Sequence, residues 1–176
     1  MNNWYVIRTR SGQEDNVIDV IDRKISKSLY KDIWSVYRYD IRKKQGQEYI
    51  LRVNMYPGYV FINTEHPDEI DEFLDHASDF DGLLQTGDYF APIDKNDKDI
   101  VEFFARTSGE IGISKGIIIN GKTKIESGPL MGYEDQICKI DRHKRKAWVK
   151  FGDERKVIFS LEITEKIEEF LTSSKF

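Results

Sequence analysis

A chain of 176 residues, 39% hydrophobic and 33% charged, has enough apolar material for one domain or two small ones and too much for a disordered segment. No apolar run approaches the roughly 20 residues that span a bilayer, and Met1-Asn2-Asn3-Trp4 opens no signal-peptide pattern, so a cytoplasmic protein without membrane contact is expected. The lone Cys138 excludes an internal disulfide and a CxxC redox pair. The net charge of −4 hides an asymmetry: residues 115–156 hold 11 Lys/Arg against 6 Asp/Glu, and residues 65–102 hold 2 against 13. An acidic chain with one basic region does not coat nucleic acid indiscriminately, but it can meet it at one face.

In chain order, residues 4–9 are β-formers and predict a strand. Ser11 and Glu14 have capping-box spacing, followed by an apolar helical face through Val17, Ile18, Ile21, Ile25 and Leu29. A second strand is expected from Trp34 to Tyr39, then a hairpin whose polar tip is Lys43–Glu48. A short apolar strand, Tyr59 to Ile62, follows Pro57-Gly58. Pro67 and the acids after it suit the first turn of a second helix with Ile70, Phe73 and Leu74 inward. Leu83 and Leu84 suggest one more strand, and Asp97 to Arg106 a third helix. This is the β-α-β-β-α-β order of a ferredoxin-like α+β domain over residues 1–107, with both main helices on one sheet face. Residues 108–116 look like a linker. Short Gly-broken β-runs then predict a small barrel over 117–176, Cys138 being a buried residue of one strand, and a weak helical pattern at Ile167, Phe170 and Leu171 closes the chain.

Three stretches carry a family resemblance. Trp4-Tyr5-Val6-Ile7-Arg8-Thr9-Arg10-Ser11-Gly12-Gln13-Glu14 resembles the opening of NusG-type transcription elongation factors, and Met55-Tyr56-Pro57-Gly58-Tyr59-Val60-Phe61 resembles their FPGYV segment. Lys124–Leu130 and Phe151-Gly152 resemble the start and a later strand of their KOW domain, an SH3-like barrel. The resemblance implies an N-terminal (NGN) domain that binds RNA polymerase through an apolar sheet face. Trp4, Tyr56, Pro57, Gly58 and Tyr59 are the residues it implicates. It further implies a barrel that recruits a second partner. Tyr56 replaces the usual Phe, Asp135 stands where the KOW segment usually carries Gly, and Asp153 replaces a common Arg. These departures and the basic region are similar to specialised paralogues of the LoaP type, antiterminators that recognise RNA.

The sharpest chemical feature is Arg142-His143-Lys144-Arg145-Lys146, between two expected strands, with Lys150, Arg155 and Lys156 extending the patch. Clustered cations meet RNA phosphates and release counterions; a solvated hairpin tip has the same composition. The resemblance favours a nascent RNA hairpin as the ligand, and a processive antitermination factor as the function. The alternative is a general elongation factor whose barrel docks a ribosomal protein or a termination factor, with Phe151 as the contact. A ribosome-associated protein is a third reading, which the acidic segment disfavours. An enzyme is not expected: there is no triad, carboxylate pair or phosphate loop, His66, His76 and His143 form no metal set, and no cofactor is implied. The chain is expected to be monomeric and to act with RNA polymerase, alone or alongside other elongation factors.

Overall fold

The computed structural model describes residues 3–76, 85–86, 89–90, 93–94, 97–152 and 155–168. The chain forms two units: Met1–Tyr37 with Asn54–Glu110, and Arg38–Val53 with Ile111–Phe176. It is a mixed helix and sheet fold. The expected strand at Leu83–Leu84 lies outside the described residues, as do Phe170 and Leu171.

The first unit is built on a three-stranded sheet. β1 (Trp4–Arg8) and β2 (Asp32–Trp34) flank β5 (Tyr59–Asn63), and both pairings are antiparallel. The period-2 alternation sends Tyr5, Ile7, Val60 and Ile62 to one face. There they meet Val17 and Ile21 of α1 (Glu14–Lys24) and Ile70 and Leu74 of α2 (Pro67–Asp75). Both helices therefore cover the same face, as the ferredoxin-like order requires. α2 starts on Pro67 with Asp68 and Glu69 in its first turn, where a missing N–H costs nothing and acids oppose the helix dipole. The segment expected as one strand from Trp34 to Tyr39 is broken at Ser35, whose hydroxyl donates to the Tyr59 carbonyl at 2.9 Å. There the chain passes into the second unit, whose first strand, β3 (Tyr37–Lys44), turns into β4 (Gln47–Asn54). Gln45 and Gly46 both have positive φ (50° and 84°), the signature of the tight I′ hairpin turn. Two short strands, β6 (Gln85–Thr86) and β7 (Tyr89–Phe90), pair with each other, and α3 (Lys98–Ala105) follows. β8 (Glu110–Ile111) forms within the stretch expected as a linker.

The second unit carries a five-stranded sheet. β9 (Ser114–Ile119), β10 (Lys122–Ser127), β11 (Ile137–Asp141), β12 (Lys146–Phe151) and β13 (Arg155–Ile167) lie in the order β10-β9-β13-β12-β11. The long β13 pairs with β12 and, in parallel, with β9, so it spans two neighbours in succession. Its reach replaces the expected helical pattern at Ile167, which is a strand residue. Among the described residues β10 and β11 are the sheet's edges and do not pair, so the closed barrel expected from the sequence is not formed. The free edge of β10 is met instead by a side chain: the Ile125 N–H donates to Glu134 Oε1 at 3.2 Å. Ala147, Val149, Phe151, Val157, Phe159 and Leu161 point inward and are buried.

Candidate functional site

The sheet face of the first unit turned away from α1 and α2 is aromatic. Register puts Trp34 opposite Phe61, and Phe61 opposite Val6, so β1, β5 and β2 all contribute to that face. Trp34 stacks on Phe61 with centroids 4.9 Å apart and lies 4.8 Å from the Trp4 ring. Tyr56 makes edge contacts with Phe61 at 5.9 Å and with Phe104 of α3 at 5.8 Å. Such offset and edge-on pairs are each worth about 0.5–1.5 kcal/mol beyond their burial. Trp34, Phe61 and Phe104 are buried, whereas Trp4 and Tyr56 are only partly covered. Tyr59, opposite Arg8 on the same face, is 39% exposed. Of the expected residues, Trp4 and Tyr56 thus join one cluster through Trp34 and Phe61, with Tyr59 beside it. Trp34, Phe61 and Phe104 were not anticipated. The Trp34–Phe61 match becomes visible only once strand register is known.

The Tyr56–Tyr59 turn is held from below. The Tyr59 N–H donates to the Tyr56 carbonyl at 3.1 Å, and Pro57 then Gly58 occupy the two central places. Gly58 has φ +86°, which suits the third place of a type II turn. A β-carbon there would sit 2.9 Å from the Thr9 carbonyl oxygen, so both conformation and space require glycine. Asn54 Oδ1 accepts the Tyr56 N–H at 2.8 Å and sets the entry to the turn.

Glu14 completes the support and corrects the capping-box expectation. The helix begins at Glu14 itself, its N-cap is Gln13, and no side chain caps it. The Glu14 carboxylate is 1% exposed; it accepts the Gly12 N–H at 2.8 Å and the Gly58 N–H at 2.6 Å. One carboxylate therefore ties the first turn of α1 to the Pro57-Gly58 turn 44 residues later. Charge-assisted bonds of this kind are about twice as strong as neutral ones. The sequence carried Glu14 only as a local helix signal, because its long-range partner is a backbone N–H.

In the second unit the basic residues divide by environment. Arg142, His143 and Lys144 form the turn between β11 and β12; the turn closes through the Lys144 N–H on Asp141 Oδ1 at 2.9 Å. Arg142, His143 and Lys144 are exposed. Arg145, at φ 51°, is paired with Glu48 at 2.5 Å and lies 3.6 Å from Glu162. Lys146 is 13% exposed and bonds Asp40 and, at 3.1 Å, Ser160 Oγ. Asp40 also takes Arg38 at 2.8 Å and the Ser160 hydroxyl at 2.7 Å. Burial pushes the Asp40 carboxyl up, but the hydrogen bonds from Arg38, Lys146 and Ser160 outweigh it and hold the group well below the usual carboxylate range. Burial pulls the Lys146 ammonium down, only partly offset by Asp40. Lys146 is therefore a structural cation, while Arg142, His143 and Lys144 are turned to solvent.

Lys150 and Lys156 stand directly opposite each other on β12 and β13, both exposed. Arg155 pairs in register with Phe151. Phe151 itself is 4% exposed, packed 6.0 Å from both the Tyr133 and Phe159 rings, so it belongs to the core of the sheet. Cys138, expected to be buried, is exposed: the register shifts between Ile137 and Lys139, turning it out, and its thiol donates to the Trp148 carbonyl at 3.3 Å. An open cleft of about 750 Å³ runs beside the turn, lined by Lys139, Asp141, Arg142, His143, Arg145 and Glu162 among others.

Among the described residues, no group of three or more His, Cys, Asp or Glu is placed to hold a metal, and no helix is long and apolar enough to cross a membrane.

Comparison with known proteins adds the family. The NusG family model, described as transcription termination factor nusG, matches residues 2–102. The transcription termination/antitermination protein NusG of Neisseria meningitidis serogroup B (strain ATCC BAA-335 / MC58) is 22% identical over 173 residues, covering 93% of this chain and 97% of its own length. Among solved structures, the one described as "Domain interaction in Thermotoga maritima NusG" aligns at TM-score 0.48 and 22% identity, over 93% of this chain and 94% of that one. The MjSpt4:Spt5 complex in conformation A aligns at TM-score 0.33 and 16% identity, over 89% and 92%. The family model spans more than half of the sequence, including both the opening strand and the Pro57-Gly58 turn, and the chain belongs to the NusG family of transcription factors, not enzymes.

Proposed function

We propose that this protein is a processive antitermination factor. It binds RNA polymerase through the aromatic face of its N-terminal, NGN-like domain (residues 1–107) and a nascent RNA hairpin through its C-terminal, KOW-like domain (residues 117–176). It performs no chemistry. It acts by occupying the polymerase and suppressing pausing while the RNA contact confines it to chosen transcripts.

The observation that carries this reading is the support of the Tyr56–Tyr59 turn. Glu14 is completely buried in order to fix two backbone N–H groups, and Gly58 is the one residue type its site accepts. The turn so fixed presents Tyr56 and Tyr59 at one end of the aromatic cluster that Trp4 joins through Trp34 and Phe61, a group of partly exposed aromatics of the kind that anchors protein interfaces. The RNA half is supported by Arg142, His143 and Lys144, three adjacent basic side chains exposed on one turn, with Lys150 and Lys156 on the neighbouring strands. The competing protein-docking reading depended on Phe151, and burial of that ring in the sheet core leaves it without its contact residue.

The test is binding of the full chain to structured leader RNAs across a salt series, with Arg142→Glu/Lys144→Glu as the control. Tight binding to one hairpin, lost on charge reversal, is expected. For Z phosphate contacts, log K should fall against log salt with a slope of about −0.9Z, taking B-DNA as guide. Weak binding to every RNA, indifferent to the charge reversal, refutes the RNA half and returns the second unit to a protein partner.

A further inference from the structure

The outward face of the five-stranded sheet carries a feature that the basic turn does not explain. On β12 the residues facing away from the core are Lys146, Trp148 and Lys150; on β13 they are Lys156, Ile158 and Ser160. Register groups them in three rows. The first, Lys146 with Ser160, is capped by Asp40 and consumed internally. The second is Lys139, Trp148 and Ile158 on three adjacent strands. The third is Lys150 opposite Lys156.

β3 reaches the second row at the Ile158 carbonyl, which accepts from Arg38 Nη1 at 2.7 Å, yet the side chains of the second and third rows stay partly or fully exposed. Ile158 is 36% exposed and Trp148 is only partly covered. The Lys139 ammonium lies 4.6 Å from the centre of the indole ring. Like charges directly opposite each other on paired strands are destabilising, yet Lys150 and Lys156 hold that arrangement one row away. A flat aromatic ring edged by three exposed lysines matches one ligand chemistry: a base to stack and phosphates on either side of it. Sheet faces that display aromatic side chains bind single-stranded RNA in this way. A double-stranded stem has no free base to offer the ring.

We propose that the Lys139–Trp148–Ile158 row, with Lys150 and Lys156, binds a single-stranded stretch of RNA, with Trp148 as the base-stacking residue. This rests on the RNA reading above and adds a second contact to it. The turn at Arg142–Lys144 meets the phosphates of a stem, and the strand leaving the stem crosses the sheet. Lys139 lines the cleft beside that turn as well as covering Trp148, so it links the two contacts. On binding, Lys139 exchanges its place over the ring for a phosphate. Its cation–π contact at an exposed site is weaker than the stack of the base that replaces it.

The experiment measures affinity of the full chain for two labelled probes, a short oligouridine and a blunt RNA duplex. The variants are Trp148→Ala, Trp148→Phe, Lys150→Glu/Lys156→Glu and Arg142→Glu/Lys144→Glu. Trp148→Ala is expected to weaken oligouridine binding roughly tenfold or more, within the fivefold to 150-fold range of a lost base stack. Trp148→Phe should retain most of the affinity, and duplex binding should follow only the Arg142/Lys144 change. If Trp148→Ala does not fold, Lys150→Glu/Lys156→Glu decides, since both side chains are exposed. Oligouridine binding unchanged in Trp148→Ala, or in the double lysine variant where the alanine protein is unfolded, overturns the proposal. So does duplex binding by the wild type without any oligouridine binding; either result leaves the hairpin reading intact. Failure of the wild type to bind either probe also overturns the proposal, and the leader-RNA series then decides the hairpin reading.

Discussion

The two faces proposed to meet partners are built on opposite principles. The aromatic face of the first unit is nearly neutral and firmly supported. Its rings pack on one another, and the turn that presents Tyr56 and Tyr59 is fixed by a buried carboxylate and by a glycine that tolerates no β-carbon. The face of the second unit is charged and only partly satisfied. Its turn cations are exposed, and two of its lysines oppose each other. A preorganised aromatic face suits a partner of constant shape, because little ordering is left to pay on binding. A face of exposed cations suits a polyanion, whose affinity comes from counterion release and varies with salt. The Asp40 node shows the difference within the second unit itself: there Lys146 and Arg38 are satisfied and structural.

The largest effect is expected at Asp40. Asp40→Ala leaves Lys146 and Arg38 without their shared carboxylate, and removing one partner of a buried ion pair typically costs about 3–5 kcal/mol, read in chemical denaturation. The same node gives a pH dependence. The Asp40 pKa is depressed on folding, so the stability it contributes is complete above the unfolded value of about 3.9 and is lost as pH falls from there toward the lower folded value. Acid melts of the wild type should show this loss, and Asp40→Asn should show less of it.

At the aromatic face, Tyr56→Ala should weaken polymerase binding by about 2 kcal/mol or more, roughly 30-fold, with the circular dichroism spectrum unchanged. Glu14→Gln replaces one of two accepting oxygens with an amide and should cost about 1.5–3 kcal/mol of stability. It should also weaken polymerase binding, although Glu14 is buried and touches no partner. An unaltered affinity in a folded Glu14→Gln protein would separate the turn from the binding surface. The smallest stability effect is expected at the exposed turn: Arg142→Glu/Lys144→Glu should change the melting free energy by less than about 0.5 kcal/mol while removing RNA binding.

Local signals in the sequence located most elements. Pro67 with its acids marked the start of α2, the alternation at Trp4–Arg8 marked β1, and the polar tip marked the β3–β4 hairpin. What was not legible depended on partners distant in the chain. Glu14 reads as a helix cap from its spacing, but its carboxylate serves Gly58. Lys146 reads as one more cation of a basic tip, but Asp40, 106 residues earlier, takes its charge. Cys138 reads as a buried strand residue, and a one-residue register shift turns it outward. Trp148 stands among lysines on the outer face only through the pairing of β12 with β11 and β13. Charge density was visible in the sequence, whereas which charges are spent internally was not.

The most direct test is the affinity of the full chain for the core RNA polymerase of its own host, measured for the wild type, Tyr56→Ala and Arg142→Glu/Lys144→Glu. Two independent faces predict that Tyr56→Ala loses roughly 30-fold in affinity while remaining folded, and that the charge-reversed protein binds polymerase as the wild type does. Wild-type binding by a folded Tyr56→Ala protein would contradict the assignment of the aromatic face to the polymerase.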